Sequence, residues 1–163
     1  MPPAPAATRT LLRPVVAKVL LAGYLLFVGF TVWLPAVVSA KVTGLVGLLA
    51  RWVAAAGIAS YQSSAVVLEY LANVALFVPI GALLLFAWPR LRLWQVVLIG
   101  ALLSGLIETV QGLMPSRYPT ISDVMANTLG TLIGGAIIAA FLTWWRPAGG
   151  RRAVGWWREL PPR

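Results

Sequence analysis

The sequence predicts an all-α, polytopic transmembrane helix bundle of four membrane-spanning helices with short loops, and three observations predict it. Hydrophobic residues make up 60% of the chain and charged residues only 10%, where a soluble domain carries about a quarter charged. The mean hydropathy is +0.88. Four apolar runs, at about residues 15–40, 65–88, 93–114 and 121–145, each reach the roughly 20 residues that a helix needs to cross a bilayer.

Residues 1–14 hold Pro2, Pro3, Pro5 and Pro14 and read as a disordered cytoplasmic lead. The first run follows at 15–40. Its basic start, the stretch Val19 to Leu34 and then Val38-Ser39-Ala40 also resemble a signal peptide with a small-residue cleavage site, but the run exceeds the usual length of about 7–15 apolar residues, which favours an uncleaved span. Residues 41–64 are too polar for a fifth span. Val42, Leu45, Val46, Leu49, Trp52 and Val53 recur there at helical spacing, which suits either an interfacial amphipathic helix or a connecting loop with a helical turn.

The second and third runs are separated only by Pro89-Arg90-Leu91-Arg92, and the third and fourth by Pro115-Ser116-Arg117-Tyr118-Pro119. Connections this short make antiparallel neighbours. Residues 15–145 therefore form one transmembrane domain, followed by a basic, tryptophan-rich tail at 146–163 that suits an anionic leaflet. The thirteen Lys and Arg flank the runs instead of forming the patch a nucleic acid would need. Ten lie on the side of the two termini and three, Lys41, Arg51 and Arg117, on the other. By the positive-inside rule both termini face the cytoplasm, and the location expected is the inner membrane.

The chain has no cysteine and no histidine, so thiol chemistry and the commonest base and metal ligand are excluded. Chemistry falls to the few acids. Of four, Glu69, Glu108 and Asp123 lie in or at the mouth of spans, and each has an amide one turn on: Asn73, Gln111 and Asn127. An ionisable residue in a span is expensive and marks a functional site by default. With the termini inside, all three pairs fall at one depth near the outer face, with Arg117 beside them.

Helical phase supports a common cluster. Ser104, Glu108 and Gln111 share a face, as do Asp123, Asn127, Gly130 and Gly134. Gly130 and Gly134 allow close helix approach, which turns the acid and amide inward. Pro79 cannot donate to the Ala75 carbonyl, and with Gly81 following, a kink is expected just below Asn73 and Phe77. The structural alternatives are a capping box over Thr120 to Asp123, a solvated Glu69, and amides serving only as interhelical hydrogen-bond partners.

The stretch Asn73-Val74-Ala75-Leu76-Phe77-Val78-Pro79-Ile80-Gly81 resembles the N-x-x-x-F-x-P-x-G motif of the VanZ-like membrane proteins. Ser104 to Gln111 is similar to that family's S-x-x-x-E-x-x-Q segment, and Arg117 with Asp123, Asn127, Gly130 and Gly134 to its R...D-x-x-x-N-x-x-G-x-x-x-G segment. The resemblance covers residues 69–134 and implies a small bacterial integral membrane protein of the cell envelope. It also implies a role like the namesake's association with reduced susceptibility to the glycopeptide antibiotic teicoplanin, with no cofactor or reaction attached.

Three functions compete. The leading expectation is a non-enzymatic binder of an envelope lipid, lipid-linked precursor or amphiphilic antibiotic, through Glu69, Asn73, Ser104, Glu108, Gln111, Arg117, Asp123 and Asn127, without cofactor or metal. Arg117 would meet an anion bidentately. The second is a membrane enzyme acting on an envelope lipid or glycan with Glu108 or Asp123 as general acid or base, its carboxylates able to hold Mg²⁺ or Ca²⁺. The third, a proton- or ion-coupled transporter, lacks a polar path past Asn73 and Asn127.

Overall fold

The computed structural model describes the backbone of residues 6–33, 36–114 and 120–144, and the side chains of 14–31, 44–114 and 120–144. Among the described residues every regular element is helical. They are α1 (Ala6–Trp33), α2 (Ala36–Ala55), α3 (Tyr61–Ala87), α4 (Leu93–Gly112) and α5 (Ile121–Trp144). Four of them, α1, α3, α4 and α5, hold segments long and apolar enough to cross a membrane, while the apolar part of α2, Gly44–Ala55, is too short.

The first expected run differs most. α1 ends at Trp33, not at residue 40, and residues 36–40 belong to α2. Pro35 is the physical reason, since it has no N–H to donate and biases the residue before it away from helix. At the other end α1 begins at Ala6, so residues 6–14 of the expected disordered lead are helical. Pro14 is tolerated inside α1, where it removes one hydrogen bond from the helix's first turns. The expected fourth span stops one residue short of Trp145, which, with the tail at 146–163, lies outside the described residues.

α3 starts at Tyr61, four residues before the run expected at 65, because Ser60 caps it. The Ser63 amide donates to Ser60 Oγ at 3.2 Å, satisfying one of the orphan donors of a helix start. Before it, Gly57 takes a positive φ of 70°, a conformation open to glycine at no steric cost. α4 is capped by its own third residue: the Arg92 amide donates to Gln95 Oε1 at 2.8 Å.

α3 is the central element. α5 packs on it most extensively, and α1, α2 and α4 also touch it. α4 reverses the chain between α3 and α5, so these two run parallel. In lipid, apolar burial does not drive helices together, and close van der Waals packing through small residues takes its place. A Cβ on Gly130 would collide with the Val74 carbonyl oxygen, one on Gly134 with the Val78 oxygen, and one on Gly81 with the Thr131 oxygen. The two backbones thus touch at three points. Against α4, Gly100 makes room for the Thr131 side chain and Gly135 lies beside Leu93. Phe77, Ile80, Val96 and Val28 fill the remaining core.

α1 is antiparallel to α3. Tyr24 Oη donates to the Leu76 carbonyl at 2.8 Å, and Lys18 Nζ stands 5.3 Å from the centre of the Trp88 ring. Carried along both helices, that register brings Trp33 level with Val67. Tyr61 lies about 9 Å further on at 1.5 Å per residue, while the 20 residues of α2 are about 30 Å long. α2 is therefore not a further crossing, and it is a helix, not the connecting loop that was the other reading of 41–64. Its buried Ala50 and the approach of Gly47 to Tyr61 bind it to α3, and Leu45, Leu48, Leu49 and Trp52 are exposed.

Candidate functional site

The polar residues of α3, α4 and α5 converge at the end of the bundle where α4 passes to α5. On α4, Gly100, Ser104 and Glu108 repeat at i+4, and all three are buried. On α5, Asn127, Thr131 and Gly135 repeat at the same spacing and are buried too. The two rows face each other in antiparallel register. Asn127 Nδ2 donates to Ser104 Oγ at 2.9 Å, one turn below that Thr131 stands against Gly100, and Gly135 meets Leu93 and Val96.

At the top of this row the helix start is shared between elements. The Asp123 amide donates to Thr120 Oγ1 at 3.2 Å, which is half of a capping box. In the complete box the Asp123 carboxylate would take the Thr120 amide. Instead Glu108 Oε2, from α4, accepts the Thr120 N–H at 3.0 Å. Asp123 is left to reach α3, where Asn73 Nδ2 donates to its Oδ1 at 2.7 Å. A charge-assisted contact of this length is among the stronger hydrogen bonds a protein makes. Three helices are therefore tied by polar side chains at one level.

Glu108 is only 8% exposed and Asn127 only 5%. Glu108 and Gln111 each have further interactions beyond those described, and Gln111 is half-buried. Among the described residues Asn127 Oδ1 has no hydrogen-bond partner. A buried polar atom left unpaired costs about 1–3 kcal/mol, so this oxygen calls for an explanation.

Of the residues expected from sequence, Asn73, Ser104, Glu108, Asp123 and Asn127 come together, with Gln111 one turn from Glu108 on the same helix. Phe77, Gly81, Gly130 and Gly134 are buried in the α3–α5 contact below them. Arg117 lies outside the described residues. Glu69 is not brought in: its side chain is exposed, and no described residue pairs with it.

Two residues were missed. Thr131 is fully buried, its Oγ1 donating back to the Asn127 carbonyl at 2.9 Å, and Gly100 is the hollow that receives it; an isolated glycine in the apolar run of α4 was the available signal. Tyr24 is the other. Its hydroxyl, from α1, donates to Leu76 O, next to the Ala75 carbonyl that Pro79 leaves without its donor. No spacing within α3 announces a donor from another helix. Among the described residues no three acids stand close enough to hold a metal ion.

A family model described as VanZ/LLP1 matches residues 19–143, which takes in α3, α4, all but the last residue of α5 and every residue of the cluster. No curated protein and no solved structure matches the chain.

Proposed function

The chain belongs to the VanZ/LLP1 family, and from that membership we propose that it is a non-enzymatic membrane protein of the bacterial envelope. It binds an envelope lipid, a lipid-linked precursor or an amphiphilic glycopeptide at the cluster of Asn73, Ser104, Glu108, Gln111, Asp123 and Asn127, with Arg117 meeting an anionic group of the ligand. The protein sits in the inner membrane with both termini in the cytoplasm, and the cluster opens outward.

One observation carries the reading: polar side chains from three helices converge at a single end of an otherwise apolar bundle, through the Asn73–Asp123, Asn127–Ser104 and Glu108–Thr120 contacts. Here they crowd one level and leave an amide oxygen over. Teicoplanin susceptibility of cells producing the protein tests the proposal. Asp123→Asn and Arg117→Ala, at unchanged protein level, should each restore susceptibility, and unchanged resistance in both would remove the cluster from the role.

The burial of Glu108 favours one second reading, a membrane enzyme acting on an envelope lipid or glycan with Glu108 or Asp123 as general acid or base. Turnover of envelope lipids by the purified protein, abolished by Glu108→Gln, would establish it. Absence of product across lipids and divalent ions would leave the binder.

A further inference from the structure

The side chains of the cluster are engaged with one another, and among the described residues one buried acceptor is left without a donor. Asn73 Nδ2 goes to Asp123, Asn127 Nδ2 goes to Ser104, the Thr120 amide goes to Glu108, and the Asp123 amide goes to Thr120 Oγ1. Asn127 Oδ1 remains, in a residue only 5% exposed, and has no partner among the described residues. One turn above it on the same face of α5 is the half-buried Asp123 carboxylate, with which no described cationic side chain pairs. Residues four apart on a helix have Cβ atoms about 5–6 Å from each other, so one small group can meet both.

An amide oxygen and a carboxylate are satisfied together by a group with several donors and a positive charge. A primary ammonium has three N–H donors and no acceptor. A quaternary ammonium has the charge but no donor, and a phosphate or carboxylate has the wrong sign.

We propose that Asp123 and Asn127 form a subsite for a primary ammonium group, and that through it the protein holds lipids with an amine-bearing headgroup. This rests on the reading of the cluster as a binding site and names the chemistry of its ligand. Ser104 holds the Asn127 amide by accepting from its Nδ2 at 2.9 Å.

The full-length protein is reconstituted in phosphatidylcholine nanodiscs containing an equal minor fraction of phosphatidylethanolamine or phosphatidylglycerol, and the lipids retained are identified by native mass spectrometry. Phosphatidylethanolamine should be retained roughly tenfold over the other two, as one charged hydrogen-bonded contact provides. Asp123→Asn and Asn127→Leu should each abolish that preference, and Lys18→Met, at the opposite end of the bundle, should leave it. Asn127→Asp is the sharper variant, because it keeps the side chain's size. A second carboxylate should preserve or strengthen ethanolamine retention, whereas loss of retention in a variant that still folds would show that the ligand offers an acceptor and overturn the proposal.

Added ethanolamine separates the two sources of the group. Competition by the soluble amine is expected from an ammonium site, and no competition together with equal retention of phosphatidylcholine would refute it. Preference for phosphatidylglycerol that disappears in Asp123→Asn would overturn the ammonium assignment while leaving the cluster a binding site. No lipid preference sensitive to either residue would take down both.

Discussion

The two ends of the α3–α5 contact are built on opposite principles. In the deep half, Gly81, Gly130 and Gly134 bring backbone against backbone, with no polar side chain between the helices and no room for a single added carbon. Towards the other end, one residue before Val74 on α3 and two turns before Gly130 on α5, the same helices are joined by the Asn73–Asp123 hydrogen bond. Shape alone fixes the first, and hydrogen bonding fixes the second. Glycine contacts allow only one register, so the amides and carboxylates at the end are set at their distances without having to specify the fold themselves.

The steepest way to break that division is to add carbon at depth. Gly134→Leu drives a side chain into the Val78 carbonyl, and it should cost about 3 kcal/mol or more, read as loss of the folded protein in detergent thermal melts. Gly105→Ala is its counterpart: the position has nothing within 4 Å and should gain up to about 1 kcal/mol, from helix propensity alone. Equal destabilisation by both would mean that the deep half is not the tight one.

At the polar end the effects should be smaller and coupled. A double-mutant cycle on Asn73→Ala and Asp123→Ala, followed by thermal melting, should yield a coupling of about 0.5–2 kcal/mol. A coupling near zero would show that the contact contributes position and no stability. Tyr24→Phe removes the hydroxyl from the Leu76 carbonyl beside Pro79 and should cost about 0.5–1.5 kcal/mol, since the freed carbonyl keeps its place in the helix. Glu69→Gln, on the exposed side of α3, should change melting by less than about 0.5 kcal/mol. If it matched the Asp123 variant in both stability and lipid retention, Glu69 would have to be counted in the cluster.

How legible each half was follows from what fixes it. The deep half was readable because Gly130 and Gly134 are spaced by a helical turn and their meaning does not depend on their partner. Asn127 and Ser104 were readable for the same reason, each lying on a periodic face of its own helix. Glu69 shares the helical spacing of Asn73 yet is exposed, because spacing within one helix does not give what another helix places beside it. Pro35 was visible, yet hydropathy ran straight through it, so the end of the first run was placed seven residues beyond Trp33. Tyr24 and Thr131 depended on contacts between helices, which no window along one segment records.

The hydrogen bond from the Thr120 amide to Glu108 has a consequence for how the chain enters the membrane. Twelve residues separate the two partners, a span short enough to close before either helix has met α3. Glu108 by itself would be an unfavourable passenger in lipid, and the first amide of α5 would be an unsatisfied donor. Paired, each relieves the other, so α4 and α5 are suited to leave the translocon together as a hairpin. The Asp123 carboxylate then arrives already facing the helix that was inserted before them.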